Sequence, residues 1–209
     1  MKSYTIHLIR HGAIAETNQG KYIGSTDAHL SKHSKDNLRI IRDNEGYPYV
    51  EKIFSSPLSR CTETCSVIYP KRPIKTMGFL SECDFGDWEG KTAAELVGNP
   101  QFAAWLSNSD TTPPPNGESG KEFALRVCKG FEHLVNQLLT EGVTNSAIVT
   151  HGGVIMTILA MYGIPQAPAY QWRMDCGYGF SLRVTPFLWS RDKVVEVYST
   201  VPKPPKRES

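Results

Sequence analysis

The chain has 209 residues, of which 40% are hydrophobic and 21% charged, and its formal net charge is +2. This length and balance predict one folded core and exclude a disordered chain. Residues 201–209 carry three basic groups and one acidic group, so the rest of the chain is neutral. Because no long basic stripe is present, we expect neither a nucleic-acid partner nor a membrane partner.

The sequence indicates neither a targeting segment nor a disulfide framework. Residues 1–9 contain one lysine and a short apolar run, which fits neither a signal peptide nor a membrane span, so we expect a cytoplasmic protein. The five cysteines form no CxxC pair and fit partly buried thiols in a reducing compartment better than disulfides or a zinc ribbon. They are Cys61, Cys65, Cys83, Cys128 and Cys176.

Strands and helices alternate in the first half of the chain. Hydrophobic periodicity, caps and turn residues define the boundaries of these elements. The predicted elements are a strand over 4–9, a loop over 10–29, a helix from the cap Ser31 to Asn44, a strand over 49–54, a helix opened by Pro57 and running through Tyr69, and a weak strand over 74–77.

The second half continues the alternation after a proline break at 113–115. Apolar residues spaced by three and four predict a long helix over 118–140. The other predicted elements are short helices over 92–97 and 100–107, a buried strand over 147–149, an apolar helix over 152–162, and strands over 179–184 and 194–198. This order predicts a layered α/β fold, with a single domain over 1–200 and a Pro- and Lys-rich tail over 201–209.

Two histidine motifs lie where predicted strands end. Arg10 and His11 follow the first strand, and His151 follows a later buried strand just before a helix that begins at Gly152. Ligands of open α/β sheets bind at such strand ends, and the free N–H groups of a helix start can receive an anion. A salt-bridged arginine beside a structural histidine is the alternative for the Arg10 and His11 motif taken alone.

Arg60 lies in the first turn of the helix predicted after the second strand. A cation is unfavourable at a helix amino end, and a bound phosphate would remove the conflict. The alternative is an exposed Arg60 paired with Glu63 three residues later.

Taken together, these motifs make the sequence resemble the histidine phosphatase superfamily of phosphoglycerate-mutase-like proteins. The resemblance covers most of the chain and is closest to the branch of α-ribazole phosphatases and fructose-2,6-bisphosphatase-like enzymes. The matching motifs, in family order, are Leu8-Ile9-Arg10-His11-Gly12, Ser56-Pro57-Leu58-Ser59-Arg60 with Thr64, residues 80–90, residues 114–119 and Thr150-His151-Gly152.

The resemblance implies a three-layer α/β/α sandwich with a mostly parallel central sheet. It also implies that His11 is the nucleophile, that Glu82 is the general acid and base, and that Arg10, Arg60 and His151 clamp the phosphate. Nearby arginines would keep His11 neutral and would neutralise phosphate oxygens, so the chemistry requires neither a metal nor another cofactor. For Glu82, a surface carboxylate is the alternative.

Substrate contacts depart from the family pattern. Where many relatives have an acidic or amide residue and then an asparagine, this chain has Ala13 and Thr17. We expect Thr17 or its neighbour Asn18 to serve as the polar contact and Gly24 to allow close backbone approach to the substrate. The free N–H groups of the helix that begins at Gly152 are expected to bind its anionic group.

The expected function is hydrolysis of a small phosphorylated metabolite through a phosphohistidine. Only 68 residues separate Glu82 from His151, and the resemblance associates this short interval with phosphatases and a longer insert with mutases. The substrate expected from the resemblance is α-ribazole 5′-phosphate, with a broad range of small phosphomonoesters as the equal alternative. The protein partner is either none or a second copy in a homodimer.

Two other functions remain as alternatives to hydrolysis and mutase-type transfer. A catalytically silent phosphate-binding module would keep the clamp, although retention of all five site residues favours chemistry. A metal hydrolase would use His7, His11, His29 or His33, but the sequence shows no convincing cluster of Asp and His ligands around them. We assign no role to His133, and Tyr22, Trp88, Trp105 and Tyr178 are candidates either for one apolar pocket wall or for ordinary core.

Overall fold

The structure is a computed structural model that describes residues 3–15, 18 and 20–202. Within those residues, seven strands form one sheet, in the order β3-β2-β4-β1-β6-β7-β5. The strands are β1 Tyr4–Arg10, β2 Lys52–Ser55, β3 Lys75–Thr76, β4 Asn145–Thr150, β5 Gly163–Ile164, β6 Gly179–Val184 and β7 Val195–Val201. The helices are α1 Lys32–Asn44, α2 Ser59–Ile68, α3 Ala93–Leu96, α4 Pro100–Ser107, α5 Gly120–Glu141, α6 Gly152–Tyr162 and α7 Pro186–Asp192.

The centre of the sheet is parallel. β1, β4, β2 and β3 pair in parallel with one another, whereas β6 runs antiparallel to both β1 and β7. The short strand β5 pairs in parallel with β7 at the edge. The carboxyl ends of β1, β2 and β4 therefore open at one edge of the sheet, where the loops that follow them converge.

Helices cover both faces of this sheet, so the predicted three-layer arrangement is confirmed. Alternate residues of a strand point to opposite faces. Ile148 of β4 packs in the core cluster that contains α5 and α6, whereas its neighbours Ala147 and Val149 pack in the cluster that contains α1 and α2. A buried strand between two helical layers requires apolar residues on both sides, as this run provides.

Local sequence signals set the starts of α1 and α5; the first start is as predicted, and the second lies two residues later than expected. Ser31 caps α1 by accepting a hydrogen bond from the backbone N–H of Ser34. Ser119 and Glu122 form a reciprocal capping box at the start of α5, whose apolar stripe is buried. Among the described residues, no helix is both long and apolar enough to cross a lipid bilayer.

Other boundaries differ from the prediction. The helix expected to open at Pro57 begins at Ser59, because Ser56 still continues the strand by donating to the carbonyl of Val149. β2 starts at Lys52, three residues later than expected. Val201 was predicted to begin a frayed tail, but it is a buried residue of β7 that pairs with Gly179.

Short additional elements were not predicted. They are α7, β5 and single turns of 3-10 helix at Gly78–Leu80, Gly86–Trp88 and Ala169–Trp172. The first two of these turns lie in the segment that leads to and follows Glu82, so they shape the loop that carries a predicted site residue.

Candidate active site

Two histidines follow neighbouring parallel strands. β1 and β4 pair with Arg10 opposite Thr150, so His11 and His151 leave the sheet side by side. The backbone N–H of His11 also donates to the carbonyl of Thr150 at 2.9 Å. The centroids of the two imidazole rings lie 5.1 Å apart. The structure thus brings together the two histidines that were predicted to share a site.

His11 is held as a neutral ring with one nitrogen committed to the backbone. Its Nδ1 lies 2.7 Å from the carbonyl oxygen of Gly12, which can only accept, so Nδ1 carries the proton and Nε2 keeps its lone pair. Burial, followed by the charges of Arg60 and Arg10, lowers the pKa of His11 from 6.5 to about 3. The Gly12 N–H donates in turn to Thr64 Oγ1 at 2.9 Å, which fixes this turn against α2.

His151 has the opposite tautomer. Nε of Arg60 donates to Nδ1 of His151 at 3.2 Å, so the ring proton lies on Nε2, which donates to Ser56 Oγ at 2.8 Å. Burial and then the neighbouring His11 and Arg60 lower the pKa of His151 well below 6.5. The thiol of Cys61 packs 3.5 Å from the same Nε2. Backbone and side-chain partners thus orient both rings.

Arg60 is 1% exposed, which excludes the alternative of a surface ion pair. Its Nη1 donates to the carbonyl of Thr26 at 2.8 Å and its Nη2 to that of Gly24 at 2.7 Å. Glu63, the expected partner, instead accepts a hydrogen bond from the backbone of Leu30. The hydrogen-bond partners of the guanidinium are thus neutral groups, and no carboxylate contacts it directly in the described part of the chain.

The helix that carries Arg60 is capped from another loop. Asp27 accepts from both the backbone N–H and the hydroxyl of Ser59, at 2.6 and 2.8 Å. These hydrogen bonds lower the pKa of Asp27, the backbone contact contributing most. A carboxylate at a helix amino end is favourable and offsets the cost of Arg60 in the first turn.

Glu89 organises the loop whose carbonyls hold Arg60. Its carboxylate accepts hydrogen bonds from the backbone N–H groups of Gly24, Ser25, Thr26 and Phe85 at 2.8 to 3.2 Å. The hydroxyl of Thr26 adds a further one at 2.5 Å. Although burial raises the pKa of Glu89, these donors outweigh it and lower the pKa overall. The clamp arginine is therefore supported by an anion that does not itself line the site.

Glu82 lies at the amino end of α6, the helix that follows His151. One carboxylate oxygen accepts from the backbone N–H of Gly153 at 3.0 Å and the other from that of Cys83 at 3.1 Å. Burial raises the pKa of Glu82 despite these two donors. The side chain can therefore exist as an acid that donates a proton or as a base that accepts one.

Arg10 is hydrogen-bonded to the segment that follows the 3-10 turn Ala169–Trp172. Its Nη1 donates to the carbonyl of Met174 at 2.8 Å. Its buried Nε has no hydrogen-bond acceptor among the residues that the structure describes. A Cβ placed on Gly152 would lie 3.6 Å from that Nε, so the start of α6 packs against this guanidinium.

The five predicted catalytic and clamp residues line one cavity of about 620 Å³. This volume suits a small molecule. The predicted contact Gly152 also lines it. The remaining lining residues are Ile14, Lys21, Ile23, Gly153, Met156, Arg173, Met174 and Asp175.

Two predicted substrate contacts, Gly24 and Asn18, do not line this cavity. Gly24 is buried and uses its carbonyl for Arg60, and a Cβ there would overlap the carbonyl oxygen of Cys83. Asn18 lies outside the lining, with its backbone N–H bound to Ala15. Thr17 lies outside the described residues.

The four aromatic residues that were candidates either for a pocket wall or for ordinary core do not line this cavity. Tyr22, Trp88 and Trp105 pack with Phe85 and Phe102 in a separate small core that does not line the cavity. Tyr178 lies elsewhere and donates its hydroxyl to Glu45 at 2.7 Å. The alternative of ordinary core describes the three clustered rings.

The histidines considered as metal ligands have other partners. His7 bonds to Ser181 at 2.9 Å, and His29 bonds to Glu63 at 2.9 Å. His33 bonds to Asn37 at 3.1 Å. Within the described ranges, no cluster of three or more His, Cys, Asp or Glu side chains is arranged to hold a metal ion.

Ser56, Asp27 and Glu89 support the site but were not predicted to do so. Each acts through hydrogen bonds to groups distant in sequence, which leave no periodic signal. Ser56 and Glu89 lie inside the quoted motif blocks, at 56–60 and 80–90, and their position there was the one available indication.

Comparisons with known proteins agree with this geometry. The sequence profile of the histidine phosphatase superfamily (branch 1) matches residues 6–189. An adenosylcobalamin/alpha-ribazole phosphatase of Salmonella typhimurium is 24% identical over 200 residues, covering 93% of this chain and 92% of that protein. A 2,3-bisphosphoglycerate-dependent phosphoglycerate mutase of Rhizobium etli is 28% identical over 166 residues, covering 74% of this chain and 78% of that one.

The fold also matches a solved structure. A putative alpha-ribazole-5′-P phosphatase from Escherichia coli superimposes with a TM-score of 0.77 at 23% identity, covering 93% of this chain and 94% of that one. At this identity the likeness extends to the α/β fold and its mostly parallel sheet.

Proposed function

We propose that this chain, which belongs to the histidine phosphatase superfamily, hydrolyses small phosphomonoesters by moving the phosphoryl group to His11 and then to water. Membership makes it a phosphatase. The residue roles, the intermediate and the substrate are the proposal. The observation that carries it is the unprotonated Nε2 of His11, whose ring lies beside that of His151 in a cavity also lined by Arg10, Arg60 and Glu82.

In the first step, Nε2 of His11 attacks phosphorus and the bond to the leaving oxygen breaks. The carboxylic acid of Glu82 gives its proton to that oxygen, so the alcohol leaves neutral. Nδ1 keeps its proton and donates a hydrogen bond to the carbonyl oxygen of Gly12, which stabilises the positive charge of the ring as the N–P bond forms. The low pKa of His11 keeps the attacking ring neutral at ordinary pH.

In the second step, water attacks the phosphohistidine. Glu82, now a carboxylate, removes a proton from the water as the new O–P bond forms and the N–P bond breaks. Inorganic phosphate leaves, and His11 and Glu82 return to their starting protonation states. Burial raises the pKa of Glu82, which favours the protonated acid that the first step needs.

The clamp stabilises negative charge throughout. Arg10 and Arg60 supply two guanidinium groups, and the Nε2–H of His151 is a neutral donor. The unsatisfied Nε of Arg10 leaves hydrogen-bonding capacity for an anion. Preorganised donors of this kind act on the equatorial phosphate oxygens without a metal. Two arginines and a helix amino end favour a dianionic phosphate ester as the small-molecule partner.

The identity of the ester is a finer proposal. The curated relatives that act on alpha-ribazole support α-ribazole 5′-phosphate as a substrate, with a broad range of small phosphomonoesters as the alternative. Similarity to a phosphoglycerate mutase supports transfer to a second hydroxyl instead of water. Incubation with 3-phosphoglycerate separates these cases, since a hydrolase releases inorganic phosphate and a mutase releases an isomer.

The experiment that tests the mechanism traps the intermediate. The wild-type protein is mixed with a ³²P-labelled ester and quenched rapidly without acid, and it should then carry the label. In His11→Ala, both the label and turnover should be lost. His133→Ala, an exposed histidine on α5, is the matched control and should keep both. Turnover that persists in His11→Ala would rule out the phosphohistidine route, and binding of phosphate without turnover in the wild type would favour a silent module.

A further inference from the structure

We propose that Arg126, fixed by Glu118, is a positioning residue that holds the Glu82 segment in place for proton transfer. This inference rests on the proposed function, because it concerns the general acid and base of that mechanism. Neither side chain lines the catalytic cavity. Arg126 acts through the backbone that carries Glu82.

Arg126 donates hydrogen bonds to three carbonyl groups of one short segment. From α5, its Nη1 donates to the carbonyls of Phe79 at 3.0 Å and Ser81 at 3.1 Å, and its Nη2 donates to that of Glu82 itself at 3.3 Å. A guanidinium has five N–H donors in a rigid plane. Contacts to residues 79, 81 and 82 therefore define the path of the backbone immediately before and at the proposed acid.

Glu118 sets the orientation of this guanidinium. Its two carboxylate oxygens accept from Nε and Nη2 of Arg126 at 2.9 and 2.7 Å, which is a bidentate pair. The side chains are 16% and 31% exposed, so the pair is partly shielded from water. The backbone N–H of Glu118 also donates to the carbonyl of Asp84 at 2.9 Å. The pair thus braces the segment on both sides of Glu82.

Close packing supports the same contact. A Cβ on Gly130 of α5 would overlap the ring of Phe79, so this glycine lets the segment lie directly on the helix. The hydroxyl of Thr150 donates to the carbonyl of Leu80 at 2.7 Å. The segment is therefore anchored to the sheet at one carbonyl and to Arg126 at three others.

Glu82 needs such a support because it lies between two cavities. Besides the catalytic cavity, it lines a second one of about 500 Å³, together with Glu118 and Arg126. Its carboxylate is held by two backbone N–H groups, those of Cys83 and Gly153. If the segment shifted, the second cavity would offer space for the carboxylate away from the substrate.

The test uses esters that differ in how much they need an acid. The leaving group of 2,4-dinitrophenyl phosphate departs without protonation, whereas that of glycerol 3-phosphate is a poor alkoxide that needs a proton. We expect Arg126→Gln to lower kcat/KM for glycerol 3-phosphate about 10-fold or more and that for the dinitrophenyl ester less than about threefold. Arg126→Lys should behave like Arg126→Gln, since an ammonium cannot reproduce the planar fork. Glu118→Gln should give a smaller loss with the same selectivity.

Arg72→Gln is the matched control, because Arg72 also donates to a backbone carbonyl, that of Val50, at the opposite end of the sheet. It should leave both rates unchanged. Equal losses for the two esters in every Arg126 and Glu118 variant that unfolds cooperatively would overturn the inference, because a merely structural role lowers both alike. Glu118→Gln changes one atom, so it supplies a folded protein if the Arg126 variants do not.

Glu82→Gln in the same assay separates the two proposals. If this variant loses activity selectively with glycerol 3-phosphate while the Arg126 and Glu118 variants do not, the positioning inference alone fails. If Glu82→Gln shows no dependence on the leaving group, the acid role in the proposed function fails.

Discussion

The guanidinium Nε of Arg60 donates to Nδ1 of His151 at 3.2 Å, and this contact decides which nitrogen of the ring carries a proton. An arginine cannot accept, so Nδ1 of His151 must be unprotonated. His11 has the reverse arrangement, with Nδ1 donating to the carbonyl of Gly12. One cavity therefore holds a histidine with a free Nε2 lone pair and a histidine with an Nε2–H donor.

We expect ¹⁵N spectra to show these two neutral tautomers. Near pH 6, the Nδ1–H form should appear for His11 and the Nε2–H form for His151, each assigned by its loss in the corresponding alanine variant. The spectrum of a His133→Ala variant, which removes an exposed histidine, should keep both signals. A doubly protonated ring at either site under these conditions would contradict both the tautomer assignment and the lowered pKa values.

Stability should depend on pH through His11. Its pKa is about 3 when folded and 6.5 as a free group, so between these values the unfolded chain binds a proton that the folded chain does not. Stability is therefore lost as pH falls from 6.5 towards 3, by about 1.4 kcal/mol per pH unit at most.

Urea unfolding near pH 7 and near pH 5 measures this effect. The free energy of unfolding of the wild type should fall by up to about 2 kcal/mol more than that of His11→Asn over this interval. Comparing the two proteins cancels the carboxylates that also titrate in acid. An identical fall in both proteins would mean that His11 is not held neutral by the fold.

Glu89→Gln should weaken phosphate binding from a distance. An amide keeps one acceptor oxygen but loses the charge that attracts the N–H groups of Gly24, Ser25 and Thr26. Because Gly24 and Thr26 hold Arg60, we expect the inhibition constant of inorganic phosphate to rise about 10-fold, corresponding to a lost charged hydrogen bond.

Glu51→Gln is the control for this change. Glu51 is also a carboxylate with several donors, the backbone N–H groups of Thr144 and Asn145, but it binds the amino end of β4, away from the site. The inhibition constant of inorganic phosphate for Glu51→Gln should stay at the wild-type value. Similar increases in the two variants would show that loss of any such carboxylate loosens the whole protein.

Gly153→Ala should separate activity from stability. A Cβ at Gly153 would overlap a carboxylate oxygen of Glu82 and lie 3.0 Å from its Cδ, so the proposed acid must move. We expect kcat to fall about 10²-fold, the lower bound of a general acid–base contribution. Alanine favours a helix more than glycine does, so the melting temperature should not fall.

Gly152→Ala provides the comparison for Gly153→Ala. The nearest atom to a Cβ at Gly152 is 3.6 Å away, an ordinary contact, so the loss of kcat should be clearly smaller. Steady-state kinetics with one ester and thermal unfolding of both variants check the pair. A larger loss in Gly152→Ala would show that crowding of Glu82 is not the cause.

Local chemistry made much of this fold predictable. Ser31 and the run 152–162 gave correct helix starts, because caps and apolar periodicity are encoded in consecutive residues. The seven residues of Pro186–Asp192 contain two turns at most, too few for a period, and Gly163–Ile164 pairs only through the tertiary fold. Such short elements depend on the packing that surrounds them.

The five catalytic and clamp residues that line the cavity were predictable, but the residues that support them were not. His11 and His151 follow parallel neighbours, and strand ends converge by a general rule of open sheets. Glu89 and Arg126 act on carbonyls and N–H groups of loops, whose positions no pattern in the sequence reveals. Gly24 was expected to face the substrate, yet its carbonyl is used by Arg60.

Phe131→Ala should show how the unpredicted helix α7 contributes to stability. Phe131 is fully buried, and its ring lies 5.5 Å from that of Tyr162 and 5.9 Å from that of Trp189 in α7. Removing it leaves a cavity among aromatic rings, and such changes cost about 3–5 kcal/mol. Urea unfolding should record this loss with the same dependence on denaturant as the wild type. Leu125→Ala on the same helix, where the side chain is exposed, should change stability by less than about 0.5 kcal/mol. Equal effects at the two positions would contradict the placement of α7 against the buried face of α5.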